Sequence, residues 1–246
     1  MKISRTVTLF LTGLAAATLG PIYLAAHEHE NLQPATVTPT VTPTVNPLAK
    51  TAKDEDPWVN LFTGKDLTGW VQHNGTATYK VADGVVTGTT AQGSPNSFMC
   101  TKKNYADFEL TFEVKCDSQL NSGVQIRSIS DKSIQNGRVH GPQVEIEASP
   151  GEAGYIYGEA TGRGWLSDPV TAHSHFKNDQ WNEYRVLAQG DRIQTWINGE
   201  KVADLTDEKS SKKGFIGLQV HSIGADQGPF DVSWRKIKIR EIKSQK

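Results

Sequence analysis

The sequence has little of what several common classes of protein require. Only two cysteines, Cys100 and Cys116, occur in 246 residues, and without CxxC spacing they provide no zinc-binding pattern. Lysine and arginine total 26 against 27 aspartates and glutamates, so the net charge is −1. A chain without a basic excess or an acidic block is not expected to bind nucleic acid or to be disordered by charge repulsion.

The sequence also has no apolar run of the roughly 20 residues that a membrane span needs. Its longest, Val7–Leu19, follows a short positive start and has the length of a signal-peptide core. We therefore expect residues 1–26 to direct export to the periplasm or the extracellular space. A retained N-terminal anchor is the alternative, and it would be the only contact with a membrane.

Proline and threonine dominate the next segment, in which Val-Thr-Pro-Thr units recur between Pro34 and Pro47. Such a repeat favours extended, polyproline-like backbone and has no apolar face to bury. We expect residues 27–55 to be a disordered linker that leads to a folded domain over residues 56–244.

Within that domain no segment of 12 or more residues has a helical hydrophobic period. Residues 108–116 instead alternate over nine positions, and the turns Asp83-Gly84 and Asn198-Gly199 each separate two alternating runs. Ten to a dozen short strands at steady intervals predict an all-β sandwich of the jelly-roll type, with long loops at 128–141 and 160–177.

The two cysteines admit two interpretations. An oxidising compartment favours a disulfide between Cys100 and Cys116. If residues 96–101 and 108–116 form a hairpin, however, Cys100 lies opposite Glu109 and the disulfide is not formed.

Three predicted strands carry polar residues at a spacing of two, which places them on one face. Residues 141–147 alternate Val144 and Ile146 with polar residues, and residues 121–127 and 216–221 do the same. If these strands share a sheet, its polar face collects carboxylates, a guanidinium, an imidazole and amides. We identify this face as the candidate site, with the residues Gln125, Arg127, Gln143, Glu145, Glu147, Gln219 and His221.

Several segments together resemble the 3-keto-disaccharide hydrolase family. They occur in the family's order at 61–70, 121–127, 164–168, 181–184, 195–199 and 214–221, and span residues 57–242. The resemblance implies a concanavalin A-like β-sandwich with a sugar on its concave face, and cleavage of glycosides that are already oxidised to a ketone at C3.

A ketone at C3 makes the C2 proton acidic, so cleavage by elimination needs a base at C2, an electrophile at the ketone oxygen and an acid at the glycosidic oxygen. We expect Glu145, Glu147 or His221 to be the base and Arg127 the electrophile. A remaining carboxylic acid or histidine would donate the proton. No cofactor is certain, although a divalent metal on Glu145, Glu147 and His221 is an alternative electrophile.

The sugar itself would be held by amides and aromatic rings. Gln125, Gln143 and Gln219 supply amides, Glu159 lies near a long loop, and Tyr157 and Trp196 are candidates to stack on a pyranose. A non-catalytic carbohydrate-binding module or lectin is the alternative function, and it would gain little from clustered carboxylates. A retaining glycoside hydrolase fits less well, because residues 148–150 lack a third carboxylate.

Overall fold

The protein is described by a computed structural model over residues 57–243. The predicted signal segment, residues 1–26, and the predicted linker, residues 27–55, lie outside this range. Residues 57–243 include no helix with the length and apolar character needed to cross a membrane.

The described chain is almost entirely β-structure, with one short 3₁₀ turn at Gln135–Gly137. Alternating apolar residues and Gly-containing turns divide it into short strands, as the sequence predicts. In chain order these are β1 Val59–Asn60, β2 Trp70–His73, β3 Thr78–Ala82, β4 Val85–Thr89, β5 Ser97–Thr101, β6 Phe108–Cys116, β7 Ser122–Ser128, β8 Gly141–Ile146, β9 Ile156–Glu159, β10 Gly164–Trp165, β11 Asn182–Gln189, β12 Arg192–Ile197, β13 Glu200–Thr206, β14 Phe215–Val220 and β15 Asp231–Glu241.

The strands form two antiparallel sheets. The eight-stranded sheet has the order β13-β12-β11-β6-β15-β4-β3, with β1 paired to β15. The seven-stranded sheet has the order β10-β9-β8-β7-β14-β5-β2. Neighbours that are distant in sequence, such as β7 and β14, show the crossing connections of a jelly roll.

The core lies between the sheets and follows the period-two pattern of the strands. From β6 it takes Phe108, Leu110, Phe112, Val114 and Cys116, as the sequence predicts, and from the seven-stranded sheet Val124, Val144, Ile146, Ile216 and Leu218. The predicted all-β sandwich is therefore confirmed. Because these residues point inward, the polar residues between them lie on the outer face of the seven-stranded sheet.

Both predicted hairpins form. Asp83-Gly84 joins β3 to β4 and Asn198-Gly199 joins β12 to β13. All four turn residues have positive φ, from 50° to 89°, which asparagine, aspartate and glycine adopt most readily.

The considered hairpin between residues 96–101 and 108–116 does not form, because β5 and β6 belong to different sheets. Cys100 and Cys116 are both buried and both free. The disulfide considered from the sequence is therefore absent from the structure.

One long loop covers part of the outer face of the seven-stranded sheet. Residues 129–140 connect β7 to β8, and Val139 packs with Phe98, Cys100 and Phe215 in a small apolar cluster separate from the main core. This anchor places the neighbouring Arg138 beside the polar residues of the sheet.

Candidate functional site

The carboxyl group of Glu145 lies at the centre of the site. Alternation along β8 turns it to the outer face, where its residue is only 5% exposed. Asn121, immediately before β7, donates a hydrogen bond to Glu145 Oε1, and Gln143 Nε2 donates to Glu145 Oε2 at 3.1 Å. Two amide donors thus hold both oxygens of one buried carboxyl group.

A chain of hydrogen bonds between buried side chains holds the amide of Gln143 in place. Gln125 Nε2 donates to Gln143 Oε1 at 2.5 Å, and Ser128 Oγ donates to Gln125 Oε1 at 2.7 Å. Gly123 makes room for it, since a Cβ there would lie 2.5 Å from Gln143 Cδ. Because each amide is fixed by the next, Gln143 presents a defined donor to Glu145.

Burial raises the pKa of Glu145 to about 7, since a desolvated carboxylate is disfavoured. The hydrogen bonds from Asn121 and Gln143 act in the opposite direction, and the nearby charges of Glu147 and Glu159 add to the increase. A carboxyl group with this pKa exchanges protons near neutral pH, as a general base or acid must.

Glu147 follows β8 on the same face. Burial raises its pKa to about 7, and a hydrogen bond with the Glu152 side chain adds to this effect. The backbone N–H of Glu152 donates to Glu147 Oε1. Glu147 is therefore a second carboxyl group with a raised pKa, but it is hydrogen-bonded to Glu152 in the loop that follows β8.

A cavity of about 370 Å³ opens above these residues. Its volume is at the lower end of the roughly 300–1,000 Å³ typical of small-molecule sites. It is lined by Asn96, Asn121, Arg138, Gln143, Glu145, Glu147, Tyr157, Glu159, Trp165 and His221.

The cation of this cavity is Arg138. Its Nη2 lies 3.2 Å from Glu159 Oε1, and its side chain is about half exposed whereas that of Glu159 is buried. Since this is its one ion pair among the described residues, most of its N–H groups remain available to a ligand.

His221 follows β14 and is half-buried at the cavity wall. Its Nδ1 lies 2.7 Å from the carbonyl oxygen of Ser222, which accepts only, so Nδ1 carries a proton and donates. Nε2 is then the ring atom left to exchange a proton with a ligand.

An aromatic group forms one end of the cavity. Trp165 on the edge strand β10 packs edge-to-face against Tyr157, with ring centroids 5.4 Å apart, and against Tyr155 at 6.5 Å. Trp165 is nevertheless 39% exposed. A ring fixed by two neighbours and open to solvent suits the apolar C–H face of a sugar.

The prediction that Arg127 lies on the polar face is wrong. Opposite β14 the chain has one extra residue, a β-bulge at which Arg127 adopts a φ of 49°. Its buried guanidinium turns to the other sheet, where it donates to the carbonyls of Ala106 and Gly190 and to Asp107 Oδ1, at 2.6, 2.7 and 2.9 Å.

Two predicted sugar contacts are also misplaced. Trp196 lies on β12, which belongs to the eight-stranded sheet on the opposite side of the sandwich. There the guanidinium of Arg185 stacks on its ring, 4.1 Å from the centroid. Gln219 is on the expected face but fully buried between Phe98 and Gly123 of the flanking strands. Its amide hydrogen-bonds no group within residues 57–243.

The structure thus brings together six of the ten predicted residues: Gln143, Glu145, Glu147, Tyr157, Glu159 and His221. Gln125 supports them from below. Sequence reasoning missed Asn121 and Trp165, and also Arg138, which no periodic pattern marks. The position of Arg138 in a predicted site-forming loop was the one available signal.

The metal alternative is not supported by the side-chain placement. No group of three or more His, Cys, Asp or Glu residues within 57–243 is arranged to hold a metal ion. The expected set of Glu145, Glu147 and His221 is therefore not assembled as ligands.

Solved structures share this fold. A candidate glycosyl hydrolase from Parabacteroides distasonis is 20% identical with a TM-score of 0.54, covering 76% of this chain and 94% of its own. The carbohydrate-binding module CBM66 from Bacillus subtilis is 17% identical with a TM-score of 0.52, covering 75% and 100%. A prokaryotic β-1,3-1,4-glucanase (lichenase) from a mouse hindgut metagenome is 12% identical with a TM-score of 0.52, covering 76% and 99%. At these identities the similarity establishes the concanavalin A-like jelly roll, in both enzymes and binding modules.

The sequence itself carries the family relationship. No curated protein matches the chain. Residues 57–240, however, match a family described as the 3-keto-alpha-glucoside-1,2-lyase-like domain, in agreement with the resemblance found in the sequence. Because the matched residues make up most of the chain and include all the residues that line the cavity above Glu145, the chain belongs to the family of 3-keto-alpha-glucoside-1,2-lyase-like domains.

Proposed function

We propose that this protein cleaves glycosides that carry a ketone at C3, by elimination across C1 and C2 within the cavity above Glu145, here called the catalytic cavity. The observation that carries the proposal is the buried carboxyl group of Glu145, with a pKa of about 7, in one cavity with Arg138 and His221. Family membership supports the same reaction class. The predicted signal segment further supports action after export.

Glu145 is the base in this proposal. Its carboxylate takes the proton from C2, and the electron pair of the broken C–H bond moves into an enolate whose negative charge lies on the C3 oxygen. Asn121 and Gln143 stabilise the carboxylate form before the reaction and hold it in place. A base with a pKa near the working pH is largely deprotonated and still basic enough to remove the C2 proton.

Arg138 is the partner of the enolate oxygen. A guanidinium beside the C3 oxygen stabilises charge that develops only as the C2 proton leaves, which favours the transition state over the bound ketone. Glu159 fixes the position of Arg138 through its ion pair. Arg138 therefore takes the role that the sequence assigned to Arg127.

His221 donates the proton to the leaving group. As the enolate collapses, a C1=C2 double bond forms and the C1–O bond breaks, and the departing oxygen accepts a proton from Nε2 of the imidazolium. Water added across the double bond then yields the free 3-keto sugar, so the net result is hydrolysis. In that second step His221 takes a proton from the attacking water, and Glu145, whose carboxyl proton has exchanged with solvent, gives one to C2.

A carbohydrate-binding module is the second candidate, and the exposed Trp165 between two tyrosines is the observation that favours it. Binding needs such a platform together with amides. It does not need a buried carboxyl group with a pKa near 7, which is why we place catalysis first.

The test is incubation of the full chain with methyl 3-keto-α-glucoside in D₂O, with mass spectrometry of the products. Elimination predicts an intermediate that lacks one water relative to the 3-keto sugar, and a final sugar with deuterium at C2. Authentic 3-keto sugar in the same buffer controls for spontaneous exchange. Binding without cleavage would overturn the enzymatic proposal in favour of the module, and cleavage without deuterium above the control would overturn elimination.

A further inference from the structure

A second cavity of about 570 Å³ adjoins the catalytic cavity on the same face of the seven-stranded sheet. The two share three lining residues, Asn96, Arg138 and His221. We propose that this second cavity is the leaving-group subsite, and that the leaving group is an uncharged sugar or polyol. This inference rests on the proposed function, because it concerns the part of the substrate that departs.

The subsite is built in advance of binding. Asn74 Nδ2 donates to the carbonyl of Gly137 at 3.1 Å, and the N–H of Val139 donates to Asn74 Oδ1 at 2.8 Å. These bonds, with the apolar packing of Val139, hold the 129–140 loop as one wall. The side chain of Asn96 is fixed in the opposite wall, since Asn96 Oδ1 accepts from the N–H of Ser222 at 2.9 Å. A preformed cavity reduces the entropic cost of ordering on binding.

The lining matches a neutral, hydroxyl-rich ligand. It supplies amide groups, from Gln135, Asn136 and Asn96, but no aspartate or glutamate. Its one guanidinium, Arg138, pairs with Glu159 at 3.2 Å and faces the C3 oxygen in the proposed mechanism. An amino sugar would therefore meet no anion in this cavity, and an anionic sugar would compete for Arg138 with Glu159 and the enolate oxygen. Hydroxyl groups, in contrast, can both donate to and accept from amides.

The boundary between the two cavities determines which part of the substrate lies in which cavity. His221 lines both cavities, so a glycosidic oxygen at their boundary lies beside the residue that protonates it in the proposed mechanism. Glu145 lines only the catalytic cavity. The 3-keto ring therefore occupies the catalytic cavity and the leaving group occupies the second one.

Asn136 offers a clean test because it is exposed and has a φ of 57°, a conformation that glycine adopts freely. Asn136→Gly thus removes the amide without backbone strain. The matched control is Asp83→Gly, another exposed positive-φ position, in the β3–β4 turn of the other sheet.

We would measure kcat/KM of wild type and both variants with 3-keto-trehalose and with methyl 3-keto-α-glucoside, whose leaving group is too small to fill the subsite. The ratio of the disaccharide to the methyl glycoside should fall about three- to tenfold in Asn136→Gly, the value of one hydrogen bond, and should not change in Asp83→Gly. Asn136→Asp adds a charge and should raise the relative rate for a 3-keto disaccharide that ends in glucosamine.

An unchanged ratio in both Asn136 variants, while wild type cleaves both substrates, would overturn this inference and leave the proposed function intact. If wild type cleaved neither of the two substrates, both the proposed function and this inference would be overturned.

Discussion

The side chain of Gln143 donates a hydrogen bond to Glu145 Oε2 at 3.1 Å, two positions along the same strand. The two residues alternate with core residues, so the pleat of β8 alone puts them side by side. Gln125 holds Gln143 in position through a hydrogen bond. Burial of the Glu145 carboxyl group raises its pKa to about 7.

Replacement of Glu145 by glutamine removes the proposed base and nearly preserves its shape. We expect kcat on methyl 3-keto-α-glucoside to fall by about 10²–10⁴-fold, the usual contribution of a general base, while the substrate still binds. Rates and binding isotherms measured on the same preparation check this. Glu183→Gln, an exposed change on β11, is the control and should retain full activity. Equal activity in the two variants would remove Glu145 from the mechanism.

The pH dependence follows from the pKa of Glu145. A base must be deprotonated, so kcat/KM should fall tenfold per pH unit below about 7. The hydrogen bond from Asn121 lowers this pKa, so Asn121→Ala should raise it and move the acidic limb to higher pH. Rate profiles from pH 5 to 9 measure the shift, with the exposed Asn104→Ala as the control. An acidic limb that stays in place would mean that another group controls it.

Two arginines should respond in opposite ways. Arg138→Gln removes the donor to the enolate oxygen, and we expect kcat to fall by about 10²–10³-fold with little change in melting temperature. Arg127→Met removes the three hydrogen bonds of a buried guanidinium, one of them an ion pair, and should destabilise the fold by on the order of 3 kcal/mol. Thermal unfolding and kcat of the folded fraction separate the two effects. A large loss of kcat in a well-folded Arg127→Met would contradict this assignment.

Two tryptophans provide a further comparison. Trp165→Ala removes the exposed ring of the catalytic cavity and should weaken sugar binding by roughly three- to tenfold. Trp196→Ala removes a ring that is stacked under Arg185 on the opposite sheet, and should leave the affinity for the sugar unaltered. Titration with the substrate, using the inactive Glu145→Gln background, measures binding directly. Comparable affinities in the two variants would exclude Trp165 as the platform.

The sequence by itself determined most of the strands and the composition of the candidate face. Period-two alternation predicts β6 at its observed bounds, and the Asp83-Gly84 and Asn198-Gly199 turns predict both hairpins. The same alternation places Gln143, Glu145 and Glu147 together on the outer face. These features are local, because the pleat and the turn are decided by residues that are neighbours in the chain.

Tertiary structure alone decided which residues join that face. A single extra residue in β7 turns Arg127 into the sandwich, and strand order sends Trp196 to the far sheet and separates Cys100 from Cys116. Arg138 lies in a loop that is held by a hydrogen bond between Val139 and Asn74. These two residues are about 65 positions apart, so no periodic pattern in the sequence indicates their contact. Bulges, strand order and loop anchoring depend on long-range packing, so the carboxyl groups of the face could be predicted from their strand but the position of Arg138 could not.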